Sequence, residues 1–360
     1  MCFKNQFQKI INGLILFFAI FCIISVFMRP EIAFEGIMLG LNDCYNRIIP
    51  SLFPFMVLSG ILMASPLAKY LGVIFFPYAK ALKIENRRVP LAILLSLIGG
   101  FAVCANVISN LFADKEITKR DAELLLCCCV GVSPAFAISA IGYSMLNSKK
   151  TGIIIYICLL LSNLITGIIS SAIMPKNNVL SNKTLHKIQI KINAVDIIEN
   201  STASILVLCG FITIFRFFTA IITPPNANST IKFIVAGLFE ITSGCGAAMN
   251  CGAMKAYCAC GALSVMGMSV FMQVKYICKE EISIMPLLLS RLLHLPLALC
   301  FLKTAFVIFP YSTDVYVGEK LFVGCYRMPA DAMLIIFLLC IAIFFDFAVP
   351  NHLRKRFKGL

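Results

Sequence analysis

Four ionisable residues, Arg216, Glu240, Arg291 and His294, stand inside stretches that are otherwise apolar. In hydrocarbon a charged side chain costs at least about 2–3 kcal/mol, so each needs a partner or a wet site. Arg291 and His294 are spaced i, i+3 and share one face of a helix. A guanidinium and an imidazole turned inward together hold a carboxylate by charge-assisted hydrogen bonds. Glu240 lies just before Thr242-Ser243-Gly244, where helix breakers would free backbone groups, and could set a carboxylate there for a cation or a proton. Structural readings compete with each. Glu240 could instead pair with Arg216 or Arg291, and Arg291 with His294 could snorkel to a membrane interface. Arg216, among Phe215, Phe217 and Phe218 near the end of its segment, is better read as snorkelling.

Other chemistry is thin. The chain has 17 cysteines but no C-x-x-C pair, and most stand in apolar stretches as small packing residues. Cys127-Cys128-Cys129 point about 100° apart on a helix, so the three cannot converge on one metal without partners from elsewhere. His186 and His352 lie in polar joints, without metal-ligand spacing. G-x-S-x-G, a phosphate loop and paired carboxylates are all lacking, so no enzyme activity and no cofactor are expected.

The elements that must position these residues are membrane helices. Of 360 residues 60% are apolar and 13% charged, too little polar surface for a water-soluble globule of this size. Stretches of about 20 apolar residues, the length that spans a bilayer, fall at 10–28, 48–68, 89–112, 122–146, 151–174, 198–223, 232–250, 256–277, 284–309 and 329–349. The first follows Lys4 and Lys9 but ends at Met28-Arg29-Pro30 without a small-residue cleavage site, so it is read as a retained helix. The net charge of +14 sits in joints and tails, which suits orientation and anionic lipid headgroups and not nucleic acid. The predicted organisation is an N-terminal anchor and joint (1–41), a first repeat (42–174), a polar linker (175–195), a second repeat (196–309), and a final helix with a basic tail (310–360).

The repeats rest on features that return in one order. Phe55-Met-Val-Leu-Ser-Gly60 is echoed by Ile205-Leu-Val-Leu-Cys-Gly210, and the Gly99-Gly100 break by Thr242-Ser243-Gly244. Gly131-Val132-Ser133-Pro134, followed by Phe136, is echoed by Gly267-Met268-Ser269, followed by Met272. Backbone groups freed in hydrocarbon survive only where protein or a wet cavity satisfies them. Matched interruptions in duplicated halves are the sequence pointer to a transporter with its site near the midplane. Half-helix N-termini there carry partial positive charge and suit an anion. The expected fold is all-α: a polytopic transmembrane bundle of two structural repeats with broken or re-entrant helices.

These residues also carry a family resemblance. IIPSLFPFMVLSGIL, GGFAVCANVISNLFADKEITKRDAELLLCC and SPAFAISAIG in the first half, with GLFEITSGCG, SVMGMSVFMQV and SRLLH in the second, are similar to the Gate-domain, or nucleoside-recognition domain, membrane proteins. Within them the set resembles the sporulation integral membrane protein family YlbJ. The resemblance implies a transporter-like protein in a membrane around the developing spore, moving dipicolinate, an aromatic dicarboxylate. It implies site positions at Gly100, Ser133, Pro134, Glu240, Ser243, Gly244, Gly267, Ser269, Gln273 and Arg291, with His294 beside Arg291 in SRLLH. The implied partners are a small anionic substrate, the lipid bilayer and a coupling ion or proton; oligomeric state is left open. The chain departs from the family where polar groups give way to Phe101 and Ala102, to Val130-Gly131-Val132, and to Phe271. A non-transporting protein of spore maturation and a nucleoside permease stand as the alternatives.

Overall fold

The computed structural model describes residues 19–64, 68–174, 194–223, 226–278 and 281–309. The first part of the 10–28 segment, nearly all of the 175–195 linker, the 329–349 segment and the basic tail lie outside the described residues. Among the described residues all regular structure is helical. Four helical stretches are long and apolar enough to cross a bilayer: Lys149–Ile173, Ala194–Ile222, Gly252–Cys278, which is interrupted within, and Met285–Ile308. Local chemistry sets several helix starts. Thr118 and Asp121 close a capping box at the head of Lys119–Cys129, the Ser148 hydroxyl accepts from the Thr151 amide, and Pro286 occupies the first turn of Met285–Ile308. Ile153, Ile157 and Leu161 lie exposed along one stripe of Lys149–Ile173, and Leu288, Leu289 and Leu292 along Met285–Ile308. Such apolar stripes need hydrocarbon against them. The chain is a multi-pass, all-α integral membrane protein.

Four of the apolar stretches are interrupted, and the interruptions are of two kinds. In the first kind the helix folds back on itself. Val89–Gly99 turns at Gly100 (φ 81°, ψ −173°) into Phe101–Ala113, and the two arms pack together. Ser229–Phe239 turns at Glu240 (φ −148°, ψ 130°) into Ile241–Ala248, again with its arms packed together. Gly237 and Gly244 make the second hairpin narrow: a Cβ at Gly244 would lie 2.5 Å from the Gly237 Cα. An arm of 11 residues is about 16 Å long, roughly half of a ~30 Å hydrocarbon core. In the second kind the two pieces barely touch each other. Lys119–Cys129 runs through non-helical Val130–Ser133 into a π-helical Ala135–Met145. Lys255–Val265 passes left-handed Met266 (φ 73°) and Gly267 (φ 69°) into Gly267–Cys278.

One break sits away from its expected place, and another begins one residue early. In the second half the turn is at Glu240 and not at Thr242-Ser243-Gly244, because the Glu240 carboxylate caps the helix that those three residues begin. The last break falls at Met266-Gly267, just ahead of Ser269, which is helical and buried. The region read as a joint before residue 42 is also different. Pro30–Asp43 is a helix packed along Ala194–Ile222. Its Gly36-x-x-x-Gly40 spacing lets the backbones approach, since a Cβ at Gly40 would stand 2.7 Å from the Thr213 Cα.

Candidate functional site

The breaks touch in pairs. At the tip of the first hairpin, Gly100 lies against Ser133, in the break of the next helix: a Cβ on Gly100 would be 3.0 Å from the Ser133 amide nitrogen. In the second half a Cβ on Gly267 would be 3.0 Å from the Gly237 carbonyl oxygen and 3.3 Å from the Glu240 amide nitrogen. Both glycines have positive φ, so each is needed for its backbone angle as well as for the close approach.

Gly100 and Ser133 of the first pair and Glu240 of the second line one cavity of about 30 Å³. Its polar lining is Ser133 from the first half and Glu240, Thr242 and Gln273 from the second, with Gly100, Phe101, Val132 and Phe136 beside them. Ile48, Leu52 and Ile212 close it with apolar surface. The space holds a water or two, whereas pockets for organic ligands run to about 300 Å³ and more. An aromatic solute would have to part the two hairpin tips.

Glu240 is 1% exposed and heavily bonded. Its Oε1 accepts from the Thr242 amide at 2.9 Å, and its Oε2 from the Ser243 amide at 2.6 Å and the Ser243 hydroxyl at 2.9 Å. The N-terminus of Ile241–Ala248 is therefore occupied by the protein's own carboxylate. Arg216 stands behind it, with Nε 3.5 Å from Glu240 Oε2 and Nη2 donating to Asp43 Oδ2. Snorkelling is thus the wrong description of Arg216, which bridges two carboxylates from two other elements. Asp43, 6% exposed, was not legible as part of this site; its one signal is an acid close ahead of an apolar run.

Gln273 is 1% exposed. Its Nε2 donates to the Ser269 hydroxyl at 2.8 Å, and its Oε1 has no hydrogen-bond partner. Ser269 thus orients Gln273 from behind, and Ser243 does the same for Glu240. Pro134 starts the π-helical Ala135–Met145, and Gly244 serves the close packing of the hairpin arms.

Arg291 and His294 are buried, yet neither lines the cavity. Arg291 Nη2 donates to the Cys127 carbonyl at 2.9 Å, while Nη1 lies 3.5 Å from the Val130 carbonyl and 3.4 Å from Asn163 Oδ1. It satisfies carbonyls left free where Lys119–Cys129 ends, the end of a helix that favours a cation. His294 Nε2 must donate to the Leu159 carbonyl at 3.2 Å, which leaves Nδ1 to meet the Ser264 hydroxyl. Arg291 holds the break in place from outside the cavity, and His294 ties its helix to Leu159 and Ser264. Cys127, Cys128 and Cys129 are buried beside it, with Cys127 Sγ donating to the Glu123 carbonyl.

Over 333 residues the chain is 23% identical to the sporulation integral membrane protein YlbJ of Bacillus subtilis (strain 168), a match that takes in 80% of this chain and 81% of that protein. The likeness to the YlbJ family holds. It covers too much of both chains to come from shared hydrophobicity in a few segments. No protein-family model matches the chain, and no solved structure does. The YlbJ likeness assigns no role to single residues; geometry alone sets Gly100, Ser133, Glu240 and Gln273 around one space.

Proposed function

We propose that this chain is a transporter in a membrane surrounding the developing spore, moving a small anionic aromatic carboxylate, dipicolinate, into it. The carrying observation is the cavity shared by the interrupted helices of both halves, with a hairpin and then a broken helix in each. We read these halves as two structural repeats, and movement of one against the other would open the cavity to either side in turn. The YlbJ likeness supports the sporulation setting. For an anion, the helix Phe101–Ala113 begins at the cavity without any side-chain cap, so its first amides and partial positive charge are available. The reading requires no cofactor and no chemistry on the solute.

A nucleoside permease is a second reading, favoured by one observation. The Glu240 carboxylate and the open Gln273 Oε1 are acceptors, and would suit a neutral solute rich in hydroxyls. Uptake of labelled dipicolinate and labelled uridine into vesicles containing the purified chain separates the two. Accumulation of dipicolinate alone supports the first reading, and of uridine alone the second. If neither accumulates, and spores lacking the protein hold normal dipicolinate, transport is the wrong function and a role in spore maturation without transport remains.

A further inference from the structure

The cavity sets donors from one half against acceptors from the other. On the first half, the amides of Phe101, Ala102 and Val103 open the Phe101–Ala113 helix without a side-chain cap, and the first turn of a helix has no carbonyl of its own to meet them. On the second half, Gln273 is 1% exposed and its Oε1 accepts no hydrogen bond. Ser269, which does not line the cavity, holds the Gln273 nitrogen at 2.8 Å and leaves the oxygen to face the space. A buried acceptor left unmet is costly. Beside it, Glu240 Oε1 accepts one bond, from the Thr242 amide, where a carboxylate oxygen has room for two. A group that accepts on one edge and donates on the other meets both walls at once. In a space for about two waters, that group is a neutral O=C–X–H edge. A carboxylate anion is the poorer fit, because its oxygens would stand against those of Gln273 and Glu240.

We propose that the cavity binds its solute by one protonated carboxyl group, whose carbonyl oxygen accepts from the first amides of Phe101–Ala113 and whose O–H donates to Gln273 Oε1. Gln273 is then the residue that selects the protonated form. The proton joins the carboxylate from water as the solute enters and returns to water as it leaves. Proton coupling on this account needs no side chain that titrates. The step rests on the transport reading for that coupling, while the site stands on the geometry alone. The charged groups nearest the bound carboxyl are Glu240 and, behind it, Arg216 and Asp43. Among the described residues no other ionisable side chain lines the cavity.

The test is saturable binding of benzoate, benzamide and methyl benzoate to the purified full chain in detergent. Only benzoate titrates; benzamide presents an O=C–X–H edge at every pH, and the ester lacks the donor. Benzamide should bind equally at neutral and mildly acidic pH, and the ester should not bind. Benzoate affinity should fall about tenfold for each pH unit above its own pKa. Gln273→Leu should weaken benzamide binding at least about tenfold, or roughly 1.4 kcal/mol; it leaves the Glu240 cap and the Arg216 bridge intact, and gel filtration verifies its fold. Benzoate binding that does not strengthen on acidification would assign the site to the anion and overturn the proposal. Benzamide binding that follows pH as benzoate does would place the proton on Glu240 and overturn it as well. So would unchanged benzamide binding in Gln273→Leu, or none in the wild type. Vesicle uptake separates the two claims. The expected binding pattern without any dipicolinate uptake removes the transport reading and keeps the site, and dipicolinate uptake indifferent to a pH gradient keeps transport and removes the coupling.

Discussion

Arg216 joins Asp43 to Glu240: its guanidinium donates to the Asp43 carboxylate and lies 3.5 Å from Glu240 Oε2. Asp43 ends the Pro30–Asp43 helix and Glu240 is the tip of a hairpin, so one side chain fixes the peripheral helix, the long Ala194–Ile222 helix and the cavity wall together.

Breaking that bridge should be costly on one side and cheaper on both. Arg216→Met removes the guanidinium from between two buried carboxylates and should lower stability by about 3–5 kcal/mol. Adding Asp43→Asn should restore part of it. Thermal unfolding of the two single variants and the double variant gives the coupling, expected at about 1–3 kcal/mol; simple additivity would show that the bridge does no more than its separate parts.

Gly100→Ala tests the contact between the first hairpin and the Ser133 break. Alanine is strained at φ 81° and its Cβ would press on the Ser133 backbone. A loss of about 1–3 kcal/mol is expected, with solute uptake falling by more than the loss of folded protein explains. Gly210→Ala is the control, since a Cβ there meets nothing within 4 Å, and it should behave as wild type.

Arg291 should act through the broken helix and not through solute binding. Arg291→Ala strands the Cys127 carbonyl and its neighbours and should cost at least about 2 kcal/mol. Arg291→Lys, a cation without the planar fork, should recover part of the stability. In both, remaining uptake should show a reduced maximal rate per folded molecule with a substrate KM close to wild type. A large rise in KM with unchanged stability would place Arg291 on the solute instead.

Thr242→Cys places a thiol on the cavity wall. A charged, water-soluble thiol reagent should label it slowly, because the cavity is only about 30 Å³, and faster than the native cysteines buried beside Arg291. Labelling as rapid as that of an exposed residue would mean that the hairpin tips do not close the site.

Hydropathy alone found most of the described membrane helices, because a bilayer demands about 20 apolar residues per crossing and no partner has to be known to count them. It also found that four stretches are interrupted, since paired glycines and a Ser-Pro step are local signals. The Gly100 and Val130–Ser133 breaks stand where those signals put them. The turn at Glu240 was missed by a few residues, because Thr, Ser and Gly read as breakers but begin a helix once a carboxylate caps their amides. The Pro30–Asp43 helix escaped notice because Glu31, Glu35 and Asp43 dilute its apolar character, while what holds it is a glycine-spaced contact with a helix far along the chain.

What tertiary structure alone decided is which charges meet. Arg216, Glu240 and Arg291 were recognisable one by one as charges needing partners, but a partner across the fold leaves no trace in local spacing. Arg216 is separated from Asp43 by 173 positions, and Arg291 from Cys127 by 164. The sequence determined that buried charges had to be satisfied, because hydrocarbon allows nothing else. Packing sent Arg291 to a helix end and Arg216 to two carboxylates, leaving Gln273 Oε1 as the open acceptor on the cavity they surround.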